Sequence, residues 1–157
     1  MGLIEPDALA LGVPEMDVTH GELIRLLSGV RAALRQGDPA DAAGRFERVL
    51  AHTEQHFAQE EDWMRATACP TTAQHLKEHA AVLRLMQTVA SAMRQARQPK
   101  LVVLAIEELH RWLPDHARGL DGDLARHMES VGYVIEPGER SRRMRAALTG
   151  IDAAAPR

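Results

Sequence analysis

The chain reads as all-α, an up-down-up-down antiparallel four-helix bundle with an N-terminal arm and a C-terminal extension. Three observations predict this. Four long stretches repeat apolar residues at helical spacing, short joints rich in Gly and Pro separate them, and nowhere does a strand-like alternation appear. Long amphipathic helices joined by short connections lie antiparallel to their neighbours. At 157 residues the chain is one domain with a single core.

Residues 1–16 read as an extended arm, because Pro6 and Pro14 interrupt helix. Asp17 is the expected N-cap of a first helix running to about Gln36, striped by Leu23, Ile24, Leu27, Val30 and Leu34. Gly37-Asp38-Pro39 stops that helix and starts the next, with Gly past the end, Asp as cap and Pro in the first turn. The second helix turns Phe46, Val49, Leu50, Phe57 and Met64 inward and ends near Cys69-Pro70. Thr71 or Thr72 caps a third, striped by Leu76, Val82, Leu83, Met86 and Met93. Gln98-Pro99 marks the third joint, and a fourth helix carries Val102, Ile106, Leu109, Leu113, Leu120 and Leu124. Pro114 within it is expected to kink it or free a carbonyl. The bundle is thus expected over residues 17–129. In the extension, residues 130–157, Glu136-Pro137-Gly138 breaks the chain and Glu139 to Leu148 read as a short basic helix.

Composition excludes several classes. A net charge of −3 and a pI near 6.2 argue against general nucleic-acid or membrane-surface binding. The one cysteine, Cys69, cannot close an internal disulfide and suits a reducing cytosol. No apolar run is long enough to span a bilayer, and no basic-then-apolar signal opens the chain. The expectation is a cytoplasmic protein with no membrane and no nucleic-acid partner.

Chemistry concentrates at one level of the bundle. In an antiparallel pair, residues equally far from the joint share a height, since each residue rises about 1.5 Å. His20 lies 18 residues before Asp38 and His56 lies 18 after it. His79 lies 19 before Gln98 and His116 lies 18 after, while His75 and Asp121 are each 23 away. Glu60 lies 9 before Cys69 and His79 lies 10 after it. These residues also continue the inward stripes, at positions where patterning calls for apolar side chains. A buried unpaired Glu60 is costly and needs a cation. Five histidines and two acids are too many ligands for one ion, so two metals are implied. Asp121 is the awkward member, because a five-residue step from His116 turns about 140° on an ideal α-helix. A widened, π-type turn across residues 116–121, eased by Gly119, is therefore expected. His52 reads as a rim residue, and His110 and His127 as solvated or structural.

The pattern of His20, His56-x-x-x-Glu60, His75-x-x-x-His79 and His116-x-x-x-x-Asp121 resembles that of the hemerythrin family, of the bacterial single-domain kind. The resemblance covers about residues 11–128, through "GVPEMDVTH", "HFAQEEDWM", "HLKEHAAVL" and "WLPDHARGLD". It implies one iron held by His75, His79 and His116 and a second held by His20 and His56. Glu60 and Asp121 would bridge the two irons, with an oxo or hydroxo group as third bridge. Phe57, Trp112 and Leu120 match positions near the family's dioxygen pocket. The chain departs from the family at Pro114, and at Ala117 where a larger apolar residue is usual. Imidazole and carboxylate suit iron, and no thiolate lies at this level. Three histidines plus three bridges fill six positions on one iron, and two plus three leave one open on the other. Each ligating histidine needs an acceptor for its other N–H, for which Gln59, Gln74, Glu61 and Glu78 are candidates.

The resemblance implies reversible dioxygen binding at a non-haem carboxylate-bridged di-iron centre, for storage, delivery or sensing. The alternative is a di-iron peroxidase or nitric-oxide-handling enzyme on the same scaffold. A ferritin-like oxidase needs two E-x-x-H repeats, and Glu107-x-x-His110 has no twin. Arg140, Arg142, Arg143 and Arg145 in the extension read either as a solvated charge run or as a dock for an acidic protein partner.

Overall fold

The computed structural model describes residues 9–96 and 99–135, and no strand occurs among them. Its helices are α1 (Pro14–Arg35), α2 (Pro39–Thr67), α3 (Thr72–Ala96), α4 (Pro99–His116) and α5 (Gly122–Ser130), with a π-helical turn, Ala117–Asp121, joining the last two. The α4, π-turn and α5 segments follow without a break, so the bundle has four rods. Each rod packs on the next, and α1 closes against α4. Among the described residues, no helix is long and apolar enough to cross a membrane.

The joints follow their local chemistry. Gly37 adopts φ +72°, a left-handed conformation that an L side chain resists. Asp38 then accepts the Asp41 backbone N–H at 2.9 Å and caps α2, with Pro39 in its first turn. At the end of α2, Ala68 takes the left-handed cap at φ +50°. The α1 start differs from expectation. The helix begins at Pro14, three residues before Asp17, because proline's fixed φ suits the first helical position and its missing N–H goes unneeded there. Val13 is the N-cap, and Asp17 instead reaches back to accept the N–H groups of Leu11 and Gly12, at 2.6 and 3.1 Å. That tether brings Leu9 of the expected arm into the core. The helix of α4 continues through Pro114, whose ring nitrogen leaves the His110 carbonyl without its usual amide donor.

The expected inward residues are buried with few exceptions. Leu34 and Leu83 are only partly covered, and Leu76 is 37 % exposed, one position off the buried face set by His75, His79 and Val82. The apolar interior forms two layers. The larger runs from Leu23 along α1 and includes Phe46, Val49, Met86, Ile106 and Leu113. The smaller gathers Met16, Trp63, Met64, Cys69, Leu124, Ala125 and Met128. By position along each rod, the histidines and acids lie between these layers. Pro6, Gln98, the Glu136-Pro137-Gly138 break and the basic stretch from Glu139 to Leu148 with its four arginines lie outside the described residues.

Candidate metal centre

Every rod delivers side chains to one buried plane. Four-residue spacing stacks His56 over Glu60 on α2 and His75 over His79 on α3, since residues four apart share a helix face. α1 contributes His20 and α4 contributes His116. Asp121 arrives through the π turn, whose additional residue per turn returns it to the His116 face. The widened turn expected from the five-residue spacing is therefore present. His20, His56, Glu60, His75, His79, His116 and Asp121 are all buried.

The atoms converge as two sets sharing two carboxylates. One set is His75, His79 and His116 with Glu60 and Asp121, and the other is His20 and His56 with the same two acids. Within each, one ligand atom per residue lies within 4.8 Å of all the others. Asp121 Oδ1 sits 2.9 Å from His75 Nε2 and 3.2 Å from His116 Nε2, while its Oδ2 sits 3.2 Å from His20 Nε2. Glu60 Oε2 sits 3.2 Å from His79 Nε2 and 3.6 Å from His75 Nε2, while its Oε1 sits 3.4 Å from His56 Nε2. Each acid thus gives one oxygen to either histidine set, and every histidine turns Nε2 inward.

These approaches lack hydrogen-bond geometry. Both oxygens of Glu60, both of Asp121 and both ring nitrogens of His20 and His75 have no hydrogen-bond partner among the described residues. Buried polar atoms are rarely left so, because each orphan costs about 1–3 kcal/mol. His116 Nε2 and His79 Nε2 lie 3.2 Å apart within hydrogen-bond reach, but the orphaned carboxylate oxygens and His20 and His75 nitrogens that converge beside them fit cations, so the residues present suit metal ions.

Electrostatics divides the groups. Burial drives Glu60 well above the usual carboxylate range, and the charges of Asp121 and Glu61 add to it. Burial acts on Asp121 in the same sense, yet the nitrogens of His116, His20 and His75 at its oxygens hold it well below that range. Burial, then the neighbouring charges of His75 and His116, pushes His79 down to about 2. Burial and the charge of His20 likewise keep His56 well below the ordinary histidine value. Burial opposes a proton on His116, but Asp121 and Glu78 together raise it. His56 and His79 therefore stay neutral, the form of imidazole that binds metal.

Around this plane, His116 Nδ1–H donates to Glu78 Oε2 at 2.8 Å, so Glu78 is the acceptor realised from the four candidates. Phe57 stacks on His79 with centroids 3.6 Å apart, and Trp112 stacks on His116 at 4.1 Å. Leu120 lines an outer groove between α3 and α4, together with Trp112, Glu78 and His116. A separate internal cavity of about 10 Å³ is lined by Leu23, Leu27, Thr53, Val82, Leu109, Trp112 and Leu113. Leu23, Thr53, Val82 and Leu113 each stand three positions from His20, His56, His79 and His116, so the cavity sits one turn above the plane. Trp112 lines this cavity, and Phe57 and Leu120 do not. The remaining histidines lie off the plane. His52 Nε2 bonds the Thr19 carbonyl at 3.1 Å, His110 Nδ1 that of Ile106 at 2.9 Å, and His127 Nε2 that of Thr67 at 2.9 Å.

Fold and plane together define a four-helix bundle with a buried nitrogen-and-carboxylate metal centre. Residues 11–128 match the family model described as the hemerythrin HHE cation binding domain. The chain belongs to the hemerythrin family. It is 32% identical over 117 residues to a bacteriohemerythrin of Ralstonia nicotianae, covering 73% of this chain and 80% of that one. A bacteriohemerythrin of Aquifex aeolicus is 29% identical over 128 residues, covering 80% and 98%. One from Stenotrophomonas maltophilia is 25% identical over 119 residues, covering 76% of each.

Proposed function

We propose that this chain binds dioxygen reversibly at a pair of iron ions, for storage, delivery or sensing. His75, His79 and His116 would hold one iron and His20 and His56 the other, with Glu60 and Asp121 spanning both and an oxo or hydroxo group as third bridge. The observation that carries this reading is the division of each acid's two oxygens between the two histidine sets. Nitrogen and oxygen donors without thiolate suit iron, and the orphaned carboxylate oxygens need cations. When bound, the iron pair supplies the electrons that dioxygen draws on. The remaining work falls to the chain. Glu78 fixes the His116 tautomer that leaves Nε2 facing inward. Leu23, Leu27, Trp112 and Leu113 keep the cavity above the plane dry. Thr53 commits its hydroxyl as a hydrogen-bond donor to the Val49 carbonyl at 2.9 Å, and none of the lining side chains titrates. A wall without an available acid favours a carrier over an enzyme that must protonate and cleave its ligand. The buried free thiol of Cys69 suits the reducing cytoplasm we assign to the protein.

Anaerobic loading with ferrous iron followed by air tests the reading. A carrier gives visible charge-transfer bands that disappear on deoxygenation. Rapid irreversible oxidation with peroxide turnover would instead identify the peroxidase alternative, and failure to take up iron sinks both.

A further inference from the structure

The histidines that turn Nε2 toward the metal plane are not backed alike. His116 Nδ1–H donates to Glu78 Oε2 at 2.8 Å, a bond that crosses from α4 to α3. Among the described residues, Nδ1 of His20, His75 and His79 has no hydrogen-bond partner. Glu78 is, among those residues, the one carboxylate outside the plane that is bonded to a histidine of the plane. The His116 side chain is 1 % exposed and that of Glu78 38 %, so the bond begins in the interior and ends at the groove between α3 and α4. Trp112 stacks on the His116 ring and keeps it in one plane. Arg111 also lines the groove, but its guanidinium is bonded to Glu108, which leaves the Glu78 carboxylate to His116.

A carboxylate that accepts from Nδ1–H pushes electron density into the imidazole and makes Nε2 a stronger donor. A stronger donor favours the more highly charged ion, and so stabilises ferric over ferrous iron. Glu78 backs a member of one histidine set only, so its effect falls on one ion of two. We propose, resting on the di-iron reading, that Glu78 is a positioning residue that acts through His116 to make the two irons unequal. The iron that His75, His79 and His116 would hold then has the lower reduction potential, and a one-electron oxidant takes its electron from that iron first. Dioxygen draws on the same electrons, so oxygen affinity depends on a carboxylate that faces the outer groove.

Anaerobic redox titration of the iron-loaded full-length protein tests this, with ferricyanide accepting each electron and becoming ferrocyanide. In E78Q the side-chain carbonyl can still accept from Nδ1–H, so the ring stays in place while the charge behind it is gone. The first oxidation step should rise by about 59 mV, the equivalent of a tenfold change for one electron. That lies at the low end of the roughly 10- to 100-fold that such partners carry. The second step should move far less, iron content and helical circular dichroism should be kept, and oxygen affinity should fall about tenfold. D115N removes an exposed acid from the same groove, one residue from His116 and not bonded to its ring, and should leave both steps in place. In the diamagnetic zinc-loaded wild type, His116 Nδ1–H should give a protected downfield proton resonance that moves upfield in E78Q. Unmoved potentials in E78Q overturn the proposal, and so does an equal shift in D115N, which would mean a general field and not the bond to His116. Absence of the protected proton from the wild type overturns it even where E78Q holds no iron. Wild type that takes up no iron overturns the di-iron reading and this proposal together, whereas two irons with unmoved potentials overturn the proposal alone.

Discussion

Glu60 and Asp121 share one buried plane, yet their surroundings drive their protons apart, Glu60 toward the acid and Asp121 toward the anion. The metal-free protein therefore keeps a proton on Glu60 that a cation must displace. A folded pKa above the unfolded one gives stability that is fully present at low pH and lost as pH rises through the folded value. Glutamine cannot ionise, so E60Q escapes that loss. The thermal midpoint of metal-free wild type should fall relative to metal-free E60Q as pH rises above the ordinary carboxylate range. Each kcal/mol would appear as roughly 2–4 °C. A difference that stays constant as pH rises would show that Glu60 is already ionised. With metal offered, E60A should lose the pair of ions, because the side chain faces both histidine sets; two ions retained at wild-type affinity would remove Glu60 from the bridge. Glu60 was legible in the sequence because an acid on an inward stripe contradicts its pattern. Leu23, Leu27 and Thr53 were not, because a cavity wall and an ordinary core wall use the same residues.

Among the helical elements, the π turn of residues 117–121 does what no α-helical turn can, since it puts Asp121 and His116 on one face five residues apart. That distortion was legible from spacing alone, because two inward ligands five apart are incompatible with 3.6 residues per turn. The part assigned to Gly119 is a separate question. A Cβ built there meets nothing within 4 Å, and the residue is not among the glycines with positive φ. G119A should therefore retain both ions and gain up to about 1 kcal/mol from a less flexible unfolded chain. Metal loss or a lowered midpoint in G119A would show that the turn needs glycine. The α1 start was misread for a related reason. Pro14 looked like a barrier although proline suits the first helical turn, and Asp17 looked like a cap although its carboxylate reaches back to Leu11 and Gly12. Boundaries depend on which group satisfies the terminal N–H donors, and a sequence offers several candidates for each. Interior stripes depend on summed burial and were read more securely, Leu76 being the residue that turned outward.

For the molecule as a whole, the polar plane separates a large apolar layer from a small one, and this asymmetry predicts where the protein loosens without metal. The large layer draws on α1 through α4 and closes the bundle on hydrophobic burial alone. The small layer, built on Met16, Trp63, Met64, Leu124 and Met128, has fewer buried side chains and is joined to the rest through the ligand plane. With cations bound, four rods are tied at that level. Without them, the orphaned oxygens and nitrogens of Glu60, Asp121, His20 and His75 gain most by admitting water, and the thinner layer is the easier one to open. Chelation should leave most helical content in place while lowering the midpoint, since a ligand at 100 times its Kd adds about 2.7 kcal/mol to the folded state. Hydrogen exchange followed by mass spectrometry locates the change. Protection should fall in residues 61–75 and 121–130 and persist in residues 42–50 and 101–110. Uniform loss along the chain would mean that the metal plane governs both layers together. Unchanged protection would mean that the small layer stands without it, and the plane would then be a passenger in a fold that hydrophobic packing alone completes.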